Sequence, residues 1–222
     1  LHEANAKARF ALIRRYLGEA PASVLDVGCA NGHFLAAARE QGASVHGVDL
    51  SPWARAEAAR AYQLDVAASL PELVTGQPGA FAAVTFFQSL EHMPRPDEAL
   101  AAARACIHPR GILVSETWDS ESAIARLQGK SWQQRNPPTV IHVMSRRSLV
   151  RLLDRCGFER VEIERTAMLV SVGLVLHILA DKLVWLRGPI EWLKRVRWLA
   201  RLRLRYRMGD LITLVARPRA GG

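Results

Sequence analysis

The sequence predicts an α/β fold built as a doubly wound parallel sheet, and three observations carry that expectation. Apolar runs of strand length alternate along the chain with longer segments of helical periodicity. One run, residues 81–87, is apolar nearly throughout, as a strand covered on both faces requires. The first run, residues 24–27, passes directly into a glycine-bearing turn and then a helix.

Each element has a local reason. Residues 5–19 read as an amphipathic helix with Ala8, Leu12 and Tyr16 on one face, placed to lid a ligand. After the first strand, residues 32–41 form a helix ended by Gly42. A second strand, 45–48, ends on Asp49. Ser51 suits the N-cap, and Pro52 the first position, of a helix running to Tyr62. Residues 64–67 make a short third strand, and 81–87 the fourth. A helix over 95–107, with Pro94 and Pro96 at its start and Pro109 beyond it, leads to a fifth strand at 111–116. Residues 145–156 form a helix stopped by Gly157, residues 158–165 alternate as a strand, and 211–216 form the last strand.

With 222 residues, 50% hydrophobic and 23% charged, residues 1–222 read as one globular domain able to bury its own core. Cys29, Cys106 and Cys156 are odd in number and widely spaced, which implies neither a disulfide framework nor a metal site and points to a reducing cytoplasm. No secretory leader pattern is visible, and the chain opens on Leu1. The net charge of +9 has one location: residues 182–219 hold eleven Lys and Arg against Glu191 and Asp210, and the remainder is neutral.

The chemistry concentrates at residues 24–35, Val-Leu-Asp-Val-Gly-Cys-Ala-Asn-Gly-His-Phe-Leu. Gly28 and Gly32 let the backbone turn and approach closely where a Cβ would clash. Asp49, at the tip of the neighbouring strand, suits two ribose hydroxyls. A dinucleotide fingerprint would read G-x-G-x-x-G, but after Gly28 its second and third slots hold Ala30 and His33. Asp26 would also repel a phosphate there, and suits a ligand with a cationic end.

The stretch resembles motif I, D-x-G-C-G-x-G, of class I S-adenosylmethionine-dependent methyltransferases, with Ala30 in place of the middle glycine. A turn with negative φ at that position tolerates the change. Residues 65–70 resemble the third-strand end, where the adenine is contacted, with Ser69 in the slot of the usual acid. Residues 81–84 resemble motif IV, F-D-V-V, with Ala82 for the Asp. Gln88-Ser89-Leu90-Glu91-His92-Met93-Pro94 matches the L-E-H-x-P of the ubiquinone-biosynthesis-like branch. His142-Val143-Met144-Ser145 resembles that branch's H-x-x-S, before a helix and Gly157-Phe158.

The resemblance implies a Rossmann-like, seven-stranded sheet, mostly parallel with an antiparallel last strand, plus a helical insertion at 167–208. It implies S-adenosylmethionine as cofactor and S-adenosylhomocysteine as product. Asp26, Gly28, Ala30 and Gly32 would hold the methionine end and Asp49 the ribose. Leu50 would lie against the adenine, with Ser69 near its edge. Phe87, Gln88 and His92 would face the methyl group. His92 is the candidate general base, set against a bracing role for Glu91-His92 before the next helix. His142 is the second candidate, set against a loop anchor. No metal-ligand cluster is expected.

In the insertion, residues 167–180 carry no charge but are too few to cross a bilayer. Residues 190–200 place Trp192, Leu193, Val196 and Leu199 at helical spacing opposite Lys194, Arg195, Arg197 and Arg201, and residues 201–208 alternate Arg with an apolar side chain. An anionic membrane surface accounts for this pattern. So does packing against the sheet, or a homodimer. Nucleic acid is disfavoured, because the charge lies in one segment with no recognisable module. The function expected is O-methylation of a small molecule, whether quinone-like, lipid-linked or glycan, reached from the cytoplasmic face of a membrane. RNA methylation and a non-catalytic, cofactor-binding regulator are the alternatives.

Overall fold

Strands apolar on both faces need helices on both faces, and the chain supplies them in turn. The computed structural model describes residues 2–182, 187–196, 199 and 202–220. Helix α1 (His2–Leu17) precedes β1 (Ser23–Val27), α2 (His33–Glu40), β2 (Ser44–Val48), α3 (Pro52–Tyr62) and β3 (Val66–Ala67). Next come α4 (Leu70–Val74), β4 (Phe81–Phe87), α5 (Pro96–Cys106) and β5 (Ile107–Trp118). After α6 (Ala123–Gln128), α7 (Arg146–Arg155) and β6 (Phe158–Arg165), the insertion adds β7 (Met168–Ser171), α8 (Val172–Lys182), α9 (Arg187–Arg195) and β8 (Arg203–Tyr206). Strand β9 (Leu211–Pro218) closes the fold.

The main sheet has seven strands in the order β3-β2-β1-β4-β5-β9-β6. The pairings β3–β2, β2–β1, β1–β4 and β4–β5 are parallel, and β9 runs antiparallel to both β5 and β6. The fold class expected from the resemblance is the one observed. Alternation along the strands feeds two cores. Leu25, Val84, Phe86, Leu113 and Leu214 join Leu100 and Ala103 of α5 and Leu149 and Leu153 of α7 on one face. Val24, Ala83, Phe87, Val114 and Val215 join Phe10 and Ile13 of α1, Phe34 and Leu35 of α2 and Ala58 of α3 on the other.

Capping follows the sequence closely. Ser51 Oγ accepts the Ala54 N–H at 3.2 Å, and Ser145 with Ser148 forms a reciprocal capping box on α7.

The insertion departs from a purely helical reading. Residues 168–171 are a strand, because their backbone pairs with residues 203–206 in an antiparallel hairpin separate from the main sheet. The period-two alternation of Arg and apolar residues is therefore a strand pattern. The calls on Leu183, Val184, Trp185 and Leu186, and on Arg197, Trp198, Ala200 and Arg201, lie outside the described residues. Asn5 of α1 clasps the hairpin: its amide donates to the Leu169 carbonyl at 3.0 Å and accepts the Leu169 N–H at 2.8 Å. Among the described residues no helix is long and apolar enough to cross a membrane.

Candidate functional site

Strand order reverses between β1 and β4, and the crevice beyond their C-terminal ends is where an open α/β sheet binds ligands. The turn after β1 lies there. The Gly28 and Cys29 amides donate to the Val48 carbonyl at 2.8 and 3.0 Å, lashing the turn to β2. Gly28 has φ +80, and a Cβ on it would fall on the Ser89 side chain, whose hydroxyl donates to the Val27 carbonyl at 2.5 Å. Gly32, also at φ +80, begins α2, and a Cβ there would meet Leu64 Cδ1 at 2.7 Å. Both glycines thus serve contacts of chain with chain, and Gly32 does not line the main cleft.

Ala30 has φ +49, so the negative φ under which the turn would tolerate an alanine is not the one it adopts. Its N–H donates to Asp49 Oδ2 at 2.8 Å, while Asp49 Oδ1 accepts the Ser51 N–H at 2.9 Å. The carboxylate pins the turn in a left-handed conformation that costs a non-glycine residue about 1–2 kcal/mol.

A cleft of about 850 Å³ runs from this turn past α1 to the β7–β8 hairpin. Asp26, Gly28, Ala30, Phe87 and Gln88 line it. Asp26 is 3% exposed, and Thr85 Oγ1 donates to its Oδ1 at 2.7 Å. Burial pushes its pKa up to about 6, against the opposing pull of the Thr85 hydrogen bond and the Arg9 charge. Phe87 lies under the Arg9 guanidinium, 4.4 Å from its ring centre, and edge-on to Phe34. Gln88, at φ +55, is locked at both ends: its Nε2 donates to Glu116 at 3.0 Å, and its Oε1 accepts from Trp118 Nε1 at 3.1 Å.

Arg9 and Glu116 are cleft residues that sequence reasoning missed. They form an ion pair across the cleft floor, with Glu116 buried at the end of β5. Glu116 carried a signal, since it ends a buried strand on the ligand-bearing edge of the sheet. Arg9 carried none, being one of several basic residues on an amphipathic helix.

His92 and His142 do not reach this cleft. They line a neighbouring cavity of about 100 Å³ with Glu91, Thr117 and Trp132, and Gln88 is common to both spaces. His92 Nδ1 is 2.5 Å from the Thr139 carbonyl, which can only accept, so Nδ1 carries the proton and Nε2 is left as an acceptor. The Glu91 carbonyl accepts the amides of Ile141 and His142, each at 3.0 Å. Glu91 is 4% exposed, its carboxyl pKa raised by burial. Glu91 Oε2 and His142 Nε2 are buried without a hydrogen-bond partner. Leu50, 78% exposed, and Ser69, the N-cap of α4, lie beside Asp49 and after β3 respectively, outside the main cleft. Among the described residues no cluster able to hold a metal is present.

A family model described as "Methyltransferase domain" matches residues 1–163. The chain is 33% identical over 124 residues to the ubiquinone biosynthesis O-methyltransferase of Chromobacterium violaceum, covering 53% of each. It thus spans about half the length of the curated relatives it matches. In structure it resembles a 1,6-didemethyltoxoflavin-N1-methyltransferase of Burkholderia thailandensis, solved with S-adenosylhomocysteine (TM-score 0.60, 20% identity, 98% of this chain and 79% of that one). It also resembles the [4+2]-cyclase SpnF (TM-score 0.63, 22% identity, 97% and 82%). At such identities the likeness is one of fold, and the fold hosts more than one chemistry.

Proposed function

The chain belongs to the methyltransferase domain family, and from that premise we propose that it methylates an oxygen of a small, lipophilic acceptor using S-adenosylmethionine. The observation that carries this reading is the turn at the reversal of strand order, with Asp26 buried at its base and Asp49 pinning its Ala30 amide. The residues present fit the donor. Asp26 is a carboxylate beside the cleft that a cationic ligand would return to its charged form. Asp49 keeps a lone pair on each oxygen for the ribose hydroxyls. When bound, S-adenosylmethionine supplies a sulfonium-activated methyl group. The protein's share is to hold the acceptor in line and to take its proton. His92 Nε2 lies in the cavity that shares Gln88 with the cleft, so it can take that proton where the acceptor's oxygen extends past Gln88. Acceptance by a quinone-like oxygen is supported by the name of the curated relatives alone.

The carrying test is a calorimetric titration with S-adenosylmethionine at two pH values. Asp26 has a folded pKa raised to about 6, so its contribution to stability is full below its unfolded pKa and is lost as pH rises through about 6. A cationic ligand selects the ionised form. Affinity should therefore rise about tenfold from about pH 5 to about pH 7.5, and Asp26→Asn should flatten that rise. Absence of binding into the millimolar range would overturn the reading.

Access from a membrane surface is the second part of the proposal. Exposed Leu174 and Leu179 in the uncharged run, and exposed Trp192, Leu204 and Met208 in the basic segment after it, support it. The full chain should float with phosphatidylglycerol vesicles and not with phosphatidylcholine vesicles. Leu174→Asp combined with Leu179→Asp should abolish flotation; unchanged flotation would refute the assignment.

A further inference from the structure

The alternation of arginine and apolar residues over 203–208 has a purpose that cofactor binding does not absorb. Arg205, in β8, and Arg207, one residue past its end, both line the main cleft. Arg165, at the end of β6, lines it too. Its stem passes 3.7 Å from the Cβ position of Gly209, in the turn that follows Arg207.

The charges of the cleft do not balance. Its carboxylates are Asp26, Glu116 and Glu164, against Arg9, Arg15, Arg165, Arg205 and Arg207. Arg9 is paired with Glu116, and Arg15 with Glu164, which also accepts from the Tyr16 hydroxyl at 2.7 Å. Asp26 is buried at the opposite end, held by Thr85. Asp210, the nearest acid in sequence to the hairpin, accepts from the Tyr206 hydroxyl at 2.8 and 2.9 Å. Among the described residues Arg165, Arg205 and Arg207 have no carboxylate partner. Such a set of forks suits an oxyanion with several oxygens and more than one charge.

We propose that Arg165, Arg205 and Arg207 seat a phosphate group carried by the methyl acceptor. This rests on the methyl-transfer reading, with the phosphate at the hairpin end of the cleft and the reacting oxygen at the Gln88 end. The hairpin strand β7 runs directly into apolar α8, whose Leu174 and Leu179 are exposed, so an alkyl chain beyond the phosphate has a surface to follow.

The test titrates the full chain, with and without saturating S-adenosylhomocysteine, using phenyl phosphate, octyl phosphate and neutral benzyl alcohol. Both phosphates should bind at least about tenfold more tightly than benzyl alcohol. The double variant Arg205→Gln, Arg207→Gln should lose about that factor on both phosphates while its S-adenosylhomocysteine affinity is unchanged. Octyl phosphate binding more tightly than phenyl phosphate assigns the group to a lipid-borne acceptor, and equal affinity assigns it to a soluble one. Phosphate binding no stronger than benzyl alcohol, or unchanged in the double variant, overturns the proposal. Failure of S-adenosylhomocysteine alone to bind counts against the methyl-transfer reading, and the titrations of the free protein still decide the phosphate seat.

Discussion

Asp49→Ala is expected to weaken S-adenosylhomocysteine binding by about a hundredfold or more, since hydrogen bonds to a charged acceptor contribute about 1.5–3 kcal/mol each. Two losses combine. The ribose loses its acceptor, and the Ala30 and Ser51 amides lose the oxygens that hold them at 2.8 and 2.9 Å. Ala30 then has no reason to stay at φ +49. The folded fraction should survive, because the turn is still lashed to β2 through the Val48 carbonyl. Calorimetry and thermal unfolding on the same sample separate the two effects. Binding within threefold of the parent would remove Asp49 from the donor site. Asp49→Asn, which keeps one acceptor oxygen, should fall between.

His92 carries the second large effect. His92→Ala should lower turnover by about 10²–10⁴-fold with cofactor affinity intact. The alanine variant also releases the Thr139 carbonyl, so the asparagine variant decides the role. Asn Nδ2 stands near the position of His Nδ1 and keeps the hydrogen bond to the loop, but offers no base. If His92→Asn turns over at the parent rate, the ring is a brace for the loop and nothing more. If it falls with His92→Ala and the acid limb of the pH–rate profile disappears, the imidazole takes the acceptor's proton.

The sheet was legible where burial dictates the residue pattern. Phe81–Phe87 is apolar because both of its faces are covered, and its bounds in the structure are those the sequence predicts. Helix α3 was legible through its Ser51 cap, and α7 through the Gly157 that stops it. The short helices Leu70–Val74 and Ala123–Gln128 were not, since a turn or two of helix has too few positions for a period to show. Strand β5 begins at Ile107 rather than at residue 111, because Ile107 pairs with Phe81 and the register shift before the Ala83–Ile112 pair leaves residues 108–111 between them.

The residues proposed to hold the donor could be named from the sequence because they lie close together along it. Asp26, Gly28 and Ala30 are near in sequence, and Asp49 ends the adjacent strand. The rest of the cleft draws on α1, β5, β6 and β8, whose meeting depends on topology. No spacing announces the pairing of Arg9 with Glu116 across more than a hundred residues. The same limit explains His92: the motif places it after β4, but the sequence is silent on which of two cavities its ring enters.

The Asn5 clasp on Leu169 joins these parts of the cleft. Helix α1 holds the hairpin through Asn5 and, one turn on, sets Arg9 over Phe87 and against Glu116. The clasp gives the hairpin and the helix that faces the donor turn a direct physical link. A ligand that moves the hairpin and carries α1 with it would change the affinity of the donor turn, and a ligand at the donor turn would then change the affinity of the hairpin by the same factor. Reciprocity of this kind is a requirement of thermodynamic linkage.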